Sequence, residues 1–272
     1  MNWRAIRAIV RKDLKVVLQN KGVSIPIIVV PLIFLVLLPA LAAIVPALED
    51  VTGSAAADLA AFMDQMPAGL QAELAGYNPT EMIIVALLVY FFAPMYLILP
   101  LMVSSVIAAD SFAGEKERKT LEALLYTPTT DGELLLAKML SAWVPAVVIA
   151  WGGFVLYAIV ANLAGWPTMG RFFFPNLMWI VLALWVAPAV AGLGLGVTVL
   201  VSARAEGFQE AYQLGAIVVL PILFLVIGQA TGVMYFSTWL VLLLGLLVWI
   251  VDIALMGFGA RTFRRSELAA KM

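Results

Sequence analysis

The residues of this chain that could take part in chemistry are concentrated in one stretch, residues 110–138, which reads DSFAGEKERKTLEALLYTPTTDGELLLAK. It holds ten of the 33 charged side chains, and apolar runs of about membrane length flank it on both sides. A charge at the centre of a bilayer costs roughly 2.5–3.5 kcal/mol on insertion scales, so this stretch is predicted to be a loop in water. The chemistry that its acids, bases and leucines favour is recognition of another protein.

Local signals predict how this loop folds. Gly114 is predicted to end the incoming helix. Pro128 is predicted to stop a short helix, because proline has no N–H to continue the hydrogen-bond ladder. Thr130 followed by Glu133 is a capping-box pattern that starts the next helix. The loop is therefore predicted to contain a short amphipathic helix, residues 115–125, that lies parallel to the membrane.

The predicted short helix has an apolar face bordered by charges. The leucines of this face are Leu121, Leu124 and Leu125, and the charged residues around them are Glu117, Arg118 and Glu122. An exposed apolar stripe usually has a partner, which favours a docking surface. Glu115 and Lys119 stand four residues apart in the favourable order, which is worth about 0.2–0.5 kcal/mol to a helix. The alternative interpretation is a loop that is simply solvated.

In its residue order this stretch resembles the cytoplasmic loop of the ABC-2 family, the membrane permeases of ATP-binding-cassette exporters. The family pattern has an E-x-E start, a Thr-Leu-Glu core, a Leu-Leu pair, a Ser/Thr-Pro step and a lysine that enters the next span. The matching residues here are Glu115 to Leu125, Thr127, Pro128, Glu133 and Lys138. Lys119 stands where many members carry glycine. Outside residues 115–138 the agreement is in the number and order of spans, not in motifs.

The resemblance implies a transporter assembled from several chains. Two copies of the permease, or this chain and a paralogue, would work with two copies of a separate ABC ATPase that binds ATP and Mg. The loop helix would sit in a groove of the ATPase and convert its closure into movement of the spans. The substrate path would run along the dimer axis, lined mainly by the second and fifth spans. The implied coupling residues are Gly114, Glu115, Glu117, Arg118, Lys119, Thr120, Leu121, Glu122, Leu124, Leu125 and Pro128.

The composition defines the broad class of protein. The 272 residues are 64% hydrophobic and 12% charged, with a mean hydropathy of +1.05. Soluble domains average about 45–50% apolar and 25% charged residues. The sequence therefore predicts an all-α integral membrane protein that forms a single transmembrane domain over residues 1–272.

Several kinds of chemistry are excluded by the residues present. There is no Cys and no His, which rules out disulfides, thiolate or imidazole metal sites and histidine acid–base catalysis. The sequence contains no P-loop, zinc pattern or nucleophile elbow. We therefore expect no catalytic site and no cofactor on this chain, with ATP hydrolysis on the partner. The basic residues lie at the membrane face, so no nucleic-acid binding is expected.

Apolar runs predict six spans, near residues 24–48, 82–109, 133–163, 175–201, 213–231 and 238–260. Each approaches or exceeds the ~20 residues needed to cross a bilayer. The third helix, if it starts at the capping box, is about 45 Å long at 1.5 Å per residue, so its first turns stand in the cytosol. The charged residues 110–131 then form a cytoplasmic coupling segment between spans two and three.

Residues 1–21 are predicted to form an amphipathic helix at the membrane surface. Its apolar stripe consists of Trp3, Ile6, Val10, Leu14 and Val17, and its basic stripe of Arg4, Arg7, Arg11 and Lys15. Such a helix lies in the interface with its basic side on anionic headgroups. The alternative, the start of a signal peptide, is disfavoured because the apolar run that follows is far longer than 7–15 residues.

The distribution of Lys and Arg predicts the orientation. Fifteen of the 16 basic residues fall at the two termini, in residues 110–138 and in the loop 202–212, and only Arg171 falls on the opposite side. By the positive-inside rule both termini and the coupling segment face the cytoplasm. We expect the membrane to be a prokaryotic inner membrane. The first outer loop, residues 49–81, carries six acidic residues and no basic one.

Four aromatic residues and one carboxylate within the spans leave alternatives open. An apolar cavity lined by Tyr90, Phe91, Phe92 and Tyr96 would suit an amphiphilic substrate, although such residues are commonly core or lipid-facing. Asp252 is the one acid inside a span. We expect it to make an intramolecular hydrogen bond or to pair with Arg204 or Arg261; the alternative is an ion-coupling carboxylate in a secondary transporter.

The Gly192/Gly196 spacing favours close helix packing within one chain.

Overall fold

The computed structural model of the chain describes residues 2–48, 67–120 and 130–262, and every regular element within these ranges is a helix. The N-terminal helix is α1 (Trp3–Gln19), and α2 runs through Lys21–Leu32, Ile33–Leu37 and Leu38–Leu48. After α3 (Ala68–Leu74), α4 runs through Pro79–Val85, Ala86–Phe91, Phe92–Tyr96, Ile98–Ala109, Asp110–Gly114 and Glu115–Glu117. The remaining helices are α5 (Asp131–Met169), α6 (Leu177–Val181, Leu182–Val186 and Ala187–Ser202), α7 (Phe208–Gly215, Ala216–Val218 and Val219–Ala230) and α8 (Thr238–Thr262).

Six of these helices, α2 and α4 to α8, are long and apolar enough to cross a membrane. This confirms the predicted all-α fold with six spans. Three span bounds differ clearly from the prediction: α4 continues to Glu117 instead of ending at 109, α5 continues to Met169 instead of ending at 163, and α7 begins at Phe208 instead of 213. The 39 residues of α5 correspond to about 58 Å. Part of α5 therefore extends beyond a hydrocarbon core of about 30 Å.

Helix α6 lies at the centre of the bundle and packs against α4, α5 and α8. Two glycines allow α6 and α8 to approach closely. A Cβ added at Gly192 would lie 2.5 Å from Oδ2 of Asp252, and one added at Gly196 would lie 3.1 Å from Cβ of Leu255. The predicted small-residue contact is thus a packing contact within one chain.

Trp179, near the start of α6, anchors an aromatic core. Its ring stacks on Tyr157 with centroids 4.9 Å apart. Its Nε1–H donates to the carbonyl of Val89 at 2.6 Å, and the Tyr157 hydroxyl donates to the carbonyl of Leu88 at 2.6 Å. Both carbonyls belong to a π turn, Ala86–Phe91, in which the helical ladder is widened. Because lipid offers no hydrogen bonds, the two side chains satisfy backbone groups that would otherwise be costly.

Three π turns lie just before prolines and explain how the spans remain continuous there. The pairs are Ile33–Leu37 with Pro39, Ala86–Phe91 with Pro94, and Leu182–Val186 with Pro188. Proline removes one N–H from the ladder, and a local π turn adjusts the neighbouring hydrogen bonds. A fourth π turn, Asp110–Gly114, precedes no nearby proline. It lies instead among the charged residues near the end of α4.

Helix α1 packs one side against the start of α5, where Ile6 and Ile9 share a buried cluster with Leu134 and Ala137. The apolar stripe predicted from periodicity is therefore only partly the buried side. Trp3 is exposed, whereas Ile9 and the acidic Asp13, which the stripe did not include, are buried. The position of α1 at the membrane surface stays a prediction.

Asp252 does not have the partner that we expected. It is 1% exposed, and neither carboxylate oxygen has a hydrogen-bond partner among the described residues. The predicted hydrogen bond or pairing with Arg204 is therefore wrong in the described part of the chain, and the side chain of Arg261 lies outside that part. The physical reason is that Asp252 faces Gly192 of α6, while Arg204 is exposed beyond the end of that helix.

Candidate functional site: a buried ionic cluster at the end of α4

Opposite charges from three helices meet near the end of α4. We call these residues the ionic cluster: Lys12 and Asp13 of α1, Ser111 and Glu115 of α4, and Lys138 and Ser141 of α5. Residues three or four apart share one face of a helix, so the spacing within α4 and within α5 aims both members of each pair at the same place. All members except Lys12 are buried.

Glu115 is the centre of the ionic cluster. Its Oε2 lies 2.6 Å from Nζ of Lys138, and its Oε1 accepts a hydrogen bond from Nζ of Lys12. Lys138 is 0% exposed, donates to the carbonyl of Ser111 at 2.5 Å and lies 5.3 Å from the ring centroid of Phe112. One carboxylate therefore joins α1, α4 and α5.

Asp13 forms the other half of the ionic cluster. Its Oδ2 accepts hydrogen bonds from the hydroxyls of Ser111 and Ser141, each at 3.0 Å, and its Oδ1 lies 2.9 Å from Nζ of Lys12. Two lysines and two carboxylates give no net charge. A buried set of charges is tolerated when it is balanced and hydrogen-bonded, whereas removal of one partner typically costs about 3–5 kcal/mol.

Lys12 closes the ionic cluster on its open side, where its side chain is 42% exposed. Burial lowers the pKa of Lys12, but hydrogen bonds to Glu115 and Asp13 outweigh this effect, so the pKa is raised above the ordinary 10.5. The stabilisation that comes from this shift is fully present below the ordinary pKa. It is lost only as the pH rises through the raised pKa.

The last residues of α4 also hold the connection between α6 and α7. Lys116 donates from Nζ to the carbonyl of Ala205 at 2.8 Å, and Glu117 accepts from the N–H of Phe208 at 3.0 Å. Phe208 begins α7, and Gly207 before it has no side chain to cap the helix. Glu117 thus provides the cap from another helix. A Cβ at Gly207 would lie 2.6 Å from Glu117 Oε2, so only glycine leaves this carboxylate where it is.

Arg118 folds back onto α4. Its Nη1 lies 2.9 Å from Oδ1 of the buried Asp110, and its Nη2 donates to the carbonyl of Asp110 at 3.2 Å. The same Oδ1 accepts from Nδ2 of Asn20, between α1 and α2, at 3.3 Å. A Cβ at Gly114 would lie 3.1 Å from this oxygen and 3.3 Å from the guanidinium nitrogens of Arg118. Gly114 therefore gives room for the Asp110–Arg118 pair.

Helix α4 ends at Glu117 and is followed by a turn at Lys119, so the prediction that Gly114 ends it is wrong. Lys119 has a left-handed backbone with φ 55°. Its N–H bonds to the carbonyl of Lys116 at 3.1 Å, and the N–H of Thr120 bonds to the carbonyl of Glu115 at 3.0 Å. These two bonds form a Schellman motif, whose left-handed position is usually glycine. Gly114 stays helical at φ −65° and so provides no such end.

The predicted short helix over residues 115–125 is wrong for residues 118–120, where the chain leaves the helical conformation, and residues 121–125 lie outside the described part of the chain. The predicted Glu115–Lys119 pair is replaced by the bonds from Glu115 to Lys12 and Lys138. The predicted site residues in the described part of the chain are Gly114, Glu115, Glu117, Arg118, Lys119 and Thr120, all in the last turns of α4 or its cap. The others, which lie outside the described residues, are Leu121, Glu122, Leu124, Leu125 and Pro128.

The predicted start of α5 is confirmed. Thr130 accepts from the N–H of Glu133 at 3.3 Å, and Glu133 accepts from the N–H of Thr130 at 3.0 Å. Glu133 also accepts from the N–H of Asn2 at 2.6 Å. The capping box thus fixes the beginning of α1 beside the beginning of α5.

Sequence reasoning did not include Lys12 and Asp13 among the candidate site residues. The signal for Asp13 was present, since it is the only acidic residue of α1 and follows Ile9 by four positions. A carboxylate at that spacing, on the side of a helix that also carries buried isoleucines, indicates a buried partner of opposite charge. Lys138 was part of the recognised motif, and the structure gives it a role as a buried counter-ion.

The arrangement defines a polytopic membrane protein whose second span ends in a charged segment tied to an N-terminal helix. The model of the family described as "ABC-2 family transporter protein" matches residues 7–245, and the chain belongs to this family. No match was found among curated proteins or among solved structures. The chain is thus a membrane permease component of an ABC transporter, and such components generally lack their own ATPase and usually work with an ABC ATPase.

Proposed function

We propose that this chain is the membrane-spanning permease of an ATP-driven exporter and that residues 114–128 of the coupling segment engage a separate ABC ATPase. The ionic cluster carries the proposal, because Glu115 and Asp13 each join α1, α4 and α5. Lys116 and Glu117 add the connection between α6 and α7. A displacement of the coupling segment by the ATPase would therefore move α1, α4 and the start of α5 together, and would pull on α7.

The proposed assembly follows the family resemblance. Two copies of the permease, or this chain and a paralogue, work with two ATPase subunits that bind ATP and Mg. The distribution of Lys and Arg supports a position of both termini and of the coupling segment in the cytoplasm of a prokaryotic inner membrane. The substrate path runs along the dimer axis.

Within the coupling segment, we assign contact with the ATPase to Leu121, Leu124 and Leu125. Apolar surface gains about 25 cal/mol for each Å² removed from water, so a groove on the ATPase would bind these side chains. Glu117 and Arg118 were expected to border this contact. Because both are bound inside the chain, their proposed role is to hold the base of the coupling segment.

The test is a double substitution, Leu121→Asp with Leu125→Asp. No span is touched, so the chain should insert and purify normally, while association with the ATPase and stimulation of its hydrolysis should both fall strongly. The matched control, Leu121→Met with Leu125→Met, keeps the apolar surface and should behave like the wild type. Wild-type ATPase association in the Asp variant, measured by pull-down from membranes, would show that the coupling segment is only a solvated loop.

Ion-driven secondary transport is a second candidate function, favoured by Asp252, which is buried and has no hydrogen-bond partner among the described residues. Under the exporter proposal, Asp252→Asn should leave ATPase stimulation unchanged, because the amide has nearly the same shape and no hydrogen bond is lost among the described residues. Uptake into vesicles that follows an ion gradient without ATP, and that is abolished by Asp252→Asn with normal assembly, would favour the second candidate.

A further inference from the structure

A small cavity lies at the end of the bundle opposite the ionic cluster. Its volume is about 190 Å³, and it opens near the starts of α6 and α8. The residues that line it are Glu73, Tyr90, Asn176, Leu177, Met178, Tyr235, Phe236 and Thr238. Drug-sized ligands occupy roughly 300–1,000 Å³, so this cavity suits a small molecule or one end of a longer one.

A carboxylate held by two tyrosines gives the cavity its charge. The hydroxyl of Tyr90 in α4 donates to one oxygen of Glu73 in α3, and the hydroxyl of Tyr235, between α7 and α8, donates to the other at 2.6 Å. Burial and the hydrogen bond to Glu73 raise the pKa of Tyr235 above its ordinary 10.0. Among the described residues that line the cavity, Glu73 is the only charged one.

Aromatic faces stand beside this carboxylate. The rings of Tyr90 and Tyr235 lie 5.7 Å apart at 44° to each other. A Cβ at Gly69 of α3 would lie 3.1 Å from the Tyr235 ring, so α3 packs directly against that ring and fixes its position. The basic residue described at this end, Arg171, lies 5.0 Å from the ring of Tyr77. A cavity lined by one carboxylate and two tyrosines matches the chemistry of an organic cation.

We propose that this cavity binds a small organic cation, an ammonium group with alkyl substituents, through the carboxylate of Glu73 and the rings of Tyr90 and Tyr235. The apolar side chains of Leu177 and Met178 contact the alkyl groups. The inference rests on the proposed function in one respect, that the bound cation is the polar group of an exported substrate.

Equilibrium dialysis of radiolabelled tetraethylammonium against the full chain in phosphatidylglycerol nanodiscs tests this inference without ATPase or ATP. Saturable binding is expected, and Glu73→Gln should raise the Kd about tenfold or more, since hydrogen bonds and pairs with charged groups are the strong ones. The matched control is Glu81→Gln, which removes the same charge at the same end but outside the cavity, and keeps the capping box. It should change the Kd less than twofold.

A second variant tests the cavity independently in case Glu73→Gln does not fold. Tyr235→Leu keeps Glu73 but removes one aromatic wall, and it should also weaken binding several-fold. Absence of saturable binding to the wild type, or equal Kd values for Glu73→Gln and Glu81→Gln, would overturn the inference. Because no ATPase is present, such a failure is distinct from a failure of the coupling proposal.

The same assay identifies the source of the cation. In nanodiscs of phosphatidylcholine, competition by the choline headgroup against tetraethylammonium would support the inference and assign the cavity to a lipid headgroup. Unchanged binding in phosphatidylcholine would support it and assign the cavity to a free cation.

Discussion

At the scale of single residues, Lys138 is the buried cation on which the ionic cluster depends. Lys138→Gln should destabilise the chain by about 3–5 kcal/mol, because Glu115 would keep only the half-exposed Lys12 as its counter-ion. Adding Glu115→Gln should restore part of the loss, since the cluster is then neutral again. Thermal unfolding in detergent, treated as a double-mutant cycle, measures the coupling between the two side chains.

The control for this cycle is Lys116→Gln, which loses one hydrogen bond to a carbonyl and should cost only about 0.5–1.5 kcal/mol. Additive losses for Lys138→Gln and Glu115→Gln would mean that the two residues do not form an energetic pair.

Substitution of Lys119 by glycine is expected to stabilise the chain, whereas substitution of Lys138 is expected to destabilise it. A left-handed conformation costs a residue with a Cβ roughly 1–2 kcal/mol, and glycine avoids most of this cost. Lys119→Gly should therefore raise the thermal midpoint, with a gain of about 1 kcal/mol. Lys119→Ala removes the same charge but keeps the Cβ, so it should give no gain. A rise that is equal in both variants would attribute the effect to charge instead of backbone conformation.

At the scale of elements, the contact between the end of α4 and the start of α7 depends on Gly207. Gly207→Ala would place a Cβ against the Glu117 carboxylate and displace it from the Phe208 N–H, at a cost of about 1 kcal/mol. Hydrogen exchange at the first turn of α7 should become faster. Gly132→Ala, at a position where an added Cβ would meet no described atom within 4 Å, should leave this exchange unchanged. Unchanged exchange in Gly207→Ala would show that Glu117 does not cap α7.

The elements also show what the sequence can and cannot predict. The apolar runs and the Thr130–Glu133 capping box predicted six spans and the start of α5, because both signals are local. The end of α4 was mispredicted at Gly114, since the role of this glycine is to accommodate Arg118 beside Asp110. That contact is tertiary and leaves no periodic signal.

The same limit applies to the candidate site. Glu115 and Lys138 were found through a motif, but their pairing with each other and with α1 depends on how three helices pack. Asp252 was expected to have a partner because charges in spans usually do. Its neighbour, Gly192, comes from a helix whose register against α8 is set by small residues, and single-sequence patterns do not fix that register.

At the scale of the whole molecule, the ionic cluster and the aromatic cavity lie at opposite ends of the bundle, and α4 joins them. Tyr90 and Glu115 both belong to this helix. A displacement of the coupling segment would thus reach the cavity through one continuous helix, and binding of a cation there would bias the segment in return.

The most direct test of the central claim is whether the coupling segment, α1 and the α6–α7 connection move as one body. The chain has no cysteine, so spin labels can be placed at Arg7→Cys in α1 and Glu206→Cys in the connection, both at exposed positions. Double electron–electron resonance is measured on complexes with a cysteine-free ATPase. When the labelled chain is diluted with unlabelled chain, the measured distance is the one between the two labels within one chain. Singly labelled Glu206→Cys gives the distance between two copies.

If these elements move as one body, ATP should change the distance between copies, while the distance within one chain should stay constant to about 1–2 Å, the scale of small helix shifts. A larger change within the chain, or no change between copies, would contradict the central claim.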